Sequence, residues 1–156
     1  MRFLRIIRRG RWQKRPEPDW PKDSGLPSDA LGDMQTSRCH LSVYAVTDAI
    51  DGQRVAAAMA ATREGISNID YAMFEDSELE SLGISVQPTP GDTPDDGVNG
   101  LHYDLGNLTA KRLAQLAEIV SVGDIERMAW SDVRALLVDE IGAGLVDAAR
   151  VRPKIV

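Results

Sequence analysis

Between residues 39 and 74 the apolar side chains change their spacing from every second position to every third or fourth, and then back again. In "CHLSVYAVT", Leu41, Val43 and Ala45 alternate with His40, Ser42, Tyr44 and Val46, the period of a strand. In the segment that follows, Val55, Ala58, Met59 and Thr62 recur at i, i+3, i+4 and i+7, with Ile66 extending the stripe. Thr47 or Asp48 can cap that helix, its alanines permit close packing on a sheet, and Gly65 can stop it. "NIDYAMF" alternates again, with Ile69, Tyr71 and Met73 on one face. A strand–helix–strand unit is the strongest constraint in the chain, because a right-handed crossover places both strands in one sheet with the helix on one face.

The remaining segments extend this plan. "EDSELESLGI" predicts a short helix ended by Gly83, "ISVQ" a short strand, and "LHYDLGN" a further strand with Leu101, Tyr103 and Leu105 on one face. "PTPGDTPDDGVNG" is a loop. Thr109 caps a helix striped by Leu113, Leu116, Ala117 and Val120, and a last helix capped at Ser131 carries Val133, Leu136, Leu137 and Ile141. The tail "ARVRPKIV" pairs as a strand or hangs free. The order predicts an α+β fold, a small sheet covered by helices in the manner of a split βαβ (ferredoxin-like) arrangement. The expected organisation is a basic N-terminal arm at 1–16, a Pro/Gly/Asp-rich linker at 17–37 and a single α+β domain at 38–156.

Charge is divided sharply along the chain. Residues 1–16 hold seven basic side chains and no acidic one, whereas the remainder holds 11 basic and 24 acidic. Positions 64–110 contain ten carboxylates and no Lys or Arg. Such a field repels nucleic acid and favours cationic partners. The single cysteine, Cys39, excludes an intramolecular disulfide, and no run approaches the roughly 20 apolar residues of a membrane span. A cytoplasmic protein is the expectation.

The arm admits several uses. Phe3, Leu4, Ile6, Ile7 and Trp12 interleave with arginines, so it can bury on the body while its cations answer acidic groups there, or form the first strand of the fold. It can also follow phosphates with Trp12 stacking on a base, lie on an anionic membrane surface, or target the chain to an organelle.

Chemistry-bearing motifs are sparse. His40, His102 and Asp104 lie on predicted strands, and a two-His, one-carboxylate metal site forms only if those strands are neighbours in the right register. An exposed sheet face explains the three equally simply. "GDTPDDG" lacks the Lys and following helix of a phosphate loop and the ligand spacing of a Ca²⁺ loop, so Asp92, Asp95 and Asp96 read as solvated. Asp139–Glu140 and Glu78–Glu80 read as surface charges.

The function expected from these features is a non-catalytic interaction protein: an accessory subunit, inhibitor or immunity-type binder that turns an acidic face toward a basic protein partner. The residues expected to carry it are Arg5, Arg8, Arg9, Arg11, Trp12, Asp76, Glu78 and Glu80, with no cofactor. Self-association is compatible with this. The alternative is a nucleic-acid-associated factor that contacts phosphates through residues 1–16, and a third is a small metal-dependent enzyme using His40, His102 and Asp104.

Overall fold

The computed structural model describes residues 1–12 and 25–154. Six strands form one antiparallel sheet: β1 (Arg2–Ile7), β2 (Leu41–Val46), β3 (Ile69–Glu75), β4 (Ser85–Pro88), β5 (His102–Gly106) and β6 (Ile125–Met128), in the spatial order β4-β5-β2-β1-β3-β6. The described part of the segment expected as a basic N-terminal arm therefore takes the last of the structural uses its sequence allows, a strand of the fold, and a central one. Phe3 stands opposite both Ala45 of β2 and Phe74 of β3, and Phe3 and Leu4 are fully buried on opposite faces. The physical reason is alternation: Phe3 and Ile7 feed one core while Leu4 and Ile6 feed the other, which only an inner strand covered on both sides can satisfy. Lys14, Arg15 and the first part of the expected linker, to residue 24, lie outside the described residues.

β2 and β3 both run antiparallel to β1, so they are parallel to each other and joined by α2 (Ala49–Ala61). This is the split βαβ unit, with β1 as the inserted strand. β5 and β6 are also mutually parallel and are joined by α5 (Ala110–Val122) across the opposite face. Reversing both the strand direction and the face leaves the hand unchanged, so the two connections obey the same chirality. α5 packs with a 3₁₀ segment, η1 (Ser28–Met34), over Phe3, Val43, Phe74 and Leu105. α2 packs with α6 (Trp130–Gly142) over Leu4, Tyr44, Val46 and Tyr71.

Caps follow their side-chain chemistry. Asp48 accepts from the Asp51 N–H at the start of α2, and Thr109 accepts from the Arg112 N–H at the start of α5. α3 (Asp76–Ser81) begins with a capping box between Glu75 and Glu78 and ends at Gly83, whose φ of 66° suits a residue without Cβ. Several features differ from expectation: Ser28–Met34, placed in the expected linker, packs Ala30 and Met34 into the core, and Asp96–Asn99, placed in the expected loop, is a short helix. β6 appears between α5 and α6; α6 starts at Trp130 rather than after Ser131; and the described part of the tail, to Lys154, neither pairs as a strand nor hangs free. The tail instead forms a 3₁₀ turn, η2 (Ala148–Arg150), and then docks through the Arg152 N–H on the Ala61 carbonyl.

A polar hub ties β1 to η1. The Arg5 guanidinium donates through Nε and Nη2 to the Asp33 carbonyl at 3.1 and 2.8 Å, and through Nη1 to the Ser42 carbonyl at 2.7 Å. The Asp33 carboxylate accepts from the Arg8 N–H, the Trp12 indole N–H and Arg11 Nη1, at 2.8, 2.8 and 3.1 Å. Burial lowers the Arg5 pKa from its ordinary value, with the Asp33 charge opposing that shift. Asp33→Ala strands the indole N–H and the Arg8 N–H, and should destabilise the fold by about 3 kcal/mol in urea unfolding, since each orphaned donor costs about 1–3 kcal/mol. A variant as stable as the parent would show that the hub contributes nothing.

Candidate functional site

The residues expected to bind a partner divide into two groups. Arg5, Arg11 and Trp12 belong to the internal hub, and Trp12 is buried, so neither base stacking nor phosphate contact is open to them as they stand. The reason lies in Asp33: a buried carboxylate needs donors, and the turn after β1, α1 (Arg9–Trp12), supplies them. Arg8 is exposed, while the Arg9 N–H donates to Asp70 Oδ2 at 3.1 Å. Asp70 also receives both arms of Arg127, at 2.6 and 3.1 Å. Burial pushes the Asp70 carboxyl up, but the bonds from Arg127 and Arg9 outweigh it and hold the group below its ordinary pKa. The cations of the N-terminus and the acids of the body thus meet inside the fold.

His40 and His102 do not converge. Leu41 pairs with Leu105 and Tyr44 with His102, which sets His40 opposite Gly106, four positions along the ladder from His102. His102 stands edge-on to Tyr44, with ring centroids 5.1 Å apart, and shares a hydrogen bond with Thr89 at 2.9 Å. Asp104 accepts from the Ser42 hydroxyl at 3.2 Å. Among the described residues, no group of three His, Cys, Asp or Glu side chains is placed to hold a metal ion. Cys39 is exposed at the tip of a tight turn closed by reciprocal Ser37–His40 backbone bonds.

The acidic residues gather elsewhere, at the β6 edge of the sheet. One hollow of about 230 Å³ is walled by Glu75, Glu78, Asp124 and Glu126, with Arg2 at its margin. A second, of about 410 Å³, lies between β6 and α6 and takes Glu126, Asp132 and Asp139, with Tyr71 and Arg127. Glu126 is common to both. Period-two alternation explains the floor: Tyr71, Met73 and Glu75 share one face of β3, and Glu126 stands opposite Tyr71 in register. Arg127 is committed to Asp70, and Arg2 alone is left to offset six carboxylates.

Of the three acidic residues expected at a binding face, only Glu78 lines this rim. It also accepts the Glu75 N–H in the capping box. The Asp76 N–H donates to the Met1 carbonyl, and Glu80 is exposed on α3. Asp124 and Glu126 escaped sequence reasoning because "DIERM" is too short and too charged to register as a strand. Its alternation of Ile125 and Arg127 with Glu126 and Met128 is the one signal that could have found it.

A third polar cluster corrects two expectations. Asp95 is fully buried rather than solvated: it caps α4 (Asp96–Asn99) and takes both arms of Arg54, at 2.6 and 2.8 Å. Asp92 and Asp96 are exposed and face Arg150. Glu140, expected on the surface, is only 6% exposed; its Oε1 lies 3.8 Å from Arg54 Nε and its Oε2 has no hydrogen-bond partner among the described residues. Burial raises the Glu140 pKa to about 7, the Asp95 charge adds to the rise, and Arg54 opposes it.

The sign of the resulting pH dependence follows. The contribution is complete below the ordinary value of 4.5, is lost progressively as pH rises to about 7, and is absent above that, because only the unfolded state ionises in between. The loss amounts to about 3 kcal/mol at 1.36 kcal/mol per pKa unit. Glu140→Gln should remove most of the slope of unfolding free energy between pH 5 and 8 and exceed the parent in stability at pH 8. Parallel slopes in urea titrations of the two proteins would refute this.

Comparison of the chain with protein-family models, with curated proteins and with solved structures finds no match, so its function is argued from the geometry of these surfaces.

Proposed function

We propose that the chain is a non-catalytic interaction protein whose acidic rim along β6 receives a lysine- or arginine-rich segment of a partner protein. The observation that carries this reading is the convergence of six carboxylates on two hollows that share Glu126, with Arg2 as the one cation lining them that makes no ion pair among the described residues. Like charges held this close repel one another, and a cationic segment converts that repulsion into attraction. β6 is also an edge strand, paired only with β3 among the described residues, so its outer N–H and C=O groups can extend the sheet with an incoming strand. Main-chain pairing then supplies affinity, and the flanking carboxylates select for positive charge.

The alternative, phosphate binding through residues 1–16, is weakened by the internal use of Arg5, Arg11 and Trp12. A metal-dependent activity has no support in the separated positions of His40 and His102.

The test is capture from native lysate at about 50 mM salt, with a photocrosslinking residue at position 126. A stoichiometric protein partner should crosslink there through a basic segment, dissociate as salt rises, and be lost from a Glu75→Gln/Asp124→Asn/Glu126→Gln variant. Unchanged capture by that variant, or crosslinks confined to acidic or neutral segments, would defeat the proposal.

A further inference from the structure

At the other end of β3, beyond the strand terminus that pairs with Met128, a hollow of about 440 Å³ has the opposite chemistry. Trp130, Arg134, Arg152 and Lys154 line it, with Ile66 on its floor and Glu64 as its one carboxylate. Trp130 is 54% exposed in a chain that has few aromatics and buries Trp12. Its backbone N–H donates to Asn68 Oδ1 at 2.9 Å, which anchors the start of the 13-residue helix α6 that it opens. Successive residues of that first turn are sorted between the two hollows, since Asp132 lines the acidic one and Trp130 and Arg134 line this one.

Arg152 and Lys154 make no ion pair among the described residues. The segment that carries them is held by the Arg152 N–H on the Ala61 carbonyl at 2.9 Å and by the burial of Pro153. A protein of net charge −6 thus concentrates cations here. Glu75, at the Arg2 end of β3, lies six positions from Ile69 at this end, about 20 Å at 3.3 Å per residue; Asp132 of the rim is nearer, two residues from Trp130 and from Arg134.

We infer that this hollow binds a nucleoside phosphate, with the base stacked on the Trp130 indole and the phosphate held by Arg152 and Lys154. An indole offers a stacking surface that accepts any base, and two adjacent cations match the charge of a phosphate. The volume falls in the range of small-ligand sites. Free nucleotides and single-stranded nucleic acid both present this chemistry.

The full chain is titrated at about 50 mM salt with AMP, ATP, adenosine, inorganic phosphate and a thymidine decamer, following tryptophan fluorescence and heat of binding. Nucleotide should quench the fluorescence, and Trp130→Leu should remove that quench and weaken binding about tenfold, the effect of losing one stacked base. Trp130→Phe should retain most of the affinity. Arg152→Gln/Lys154→Gln should weaken binding and flatten its dependence on salt. Thermal melts establish that each variant is folded, which is expected because all three positions are at the surface. Preference for the decamer over AMP identifies a single-stranded polymer as the ligand, and equal binding or a preference for ATP identifies a free nucleotide. No quenching by any nucleotide, inorganic phosphate binding as well as AMP, or unchanged affinity in Trp130→Leu would each overturn the assignment. The Glu126→Gln substitution should leave nucleotide binding intact, which separates this site from the β6 rim.

Discussion

The contact on which the rest of the structure depends is the seating of Arg5 between two backbone carbonyls in the middle of the sheet. β1 must be apolar on both faces to serve as the central strand, yet its fourth residue, Arg5, carries a guanidinium on the face that holds Phe3 and Ile7. A charge in that position is tolerated only when its donors are satisfied, and the Asp33 and Ser42 carbonyls supply the acceptors. One side chain therefore joins β1, β2 and η1. The Asp33 carboxylate then gathers the Arg8 N–H and the Trp12 indole, which turns the chain sharply at the end of β1. Without β1, the parallel strands β2 and β3 would face a gap between them, and the sheet would divide into β4-β5-β2 and β3-β6.

This arrangement also decides which charges are left for a partner. The seven cations of the first 16 residues suggest a tether when read in isolation. In the fold, Arg5 and Arg11 serve Asp33, and the backbone of Arg9 joins Arg127 in serving Asp70. Buried or half-buried carboxylates at Asp33, Asp70 and Asp95 thus each have cationic or N–H partners, as removal from water requires. Glu140 is the exception: it lacks a close cationic partner, and burial pushes its carboxyl up to about 7 instead.

Legibility in the sequence followed the length and purity of each pattern. The strand–helix–strand unit, α3, α5 and the stripe of α6 were readable because uninterrupted apolar spacing reflects burial on one face, and Asp48 and Thr109 are caps by ordinary side-chain chemistry. β1 was ambiguous because two of its residues and three that follow closely are arginines, and alternation cannot reveal whether a cation finds acceptors from a 3₁₀ turn 28 positions away. β6 was invisible: four residues, two of them charged, carry too little signal to distinguish a strand from a loop. Asp95 and Glu140 were read as solvated because local composition reports the average fate of aspartate and glutamate, whereas their burial is set by the docking of the 145–154 segment against the α4 loop. The turn before β2 illustrates the same limit. Arg38 and Cys39 adopt φ of 51° and 64°, a conformation that favours Asn-Gly, and nothing in their side chains announces it.

The two edges of the sheet differ in a way that bears on the acidic rim. Charged residues on an edge strand commonly guard against pairing with another copy, and Glu126 and Arg127 could serve that purpose alone. The opposite edge is guarded differently, however. β4 consists of Ser85, Val86, Gln87 and Pro88, with no charge, and its proline removes a backbone donor. A short strand with one proline therefore suffices as protection in this fold, and a guard at β6 needs no more than one or two charges. The rim has six carboxylates drawn from β3, α3, β6, α6 and the turn before β6, and the one arginine on β6 itself is withdrawn to Asp70. Elements distant in sequence thus bring six carboxylates to one edge of the sheet, more charge than a guard against self-pairing requires.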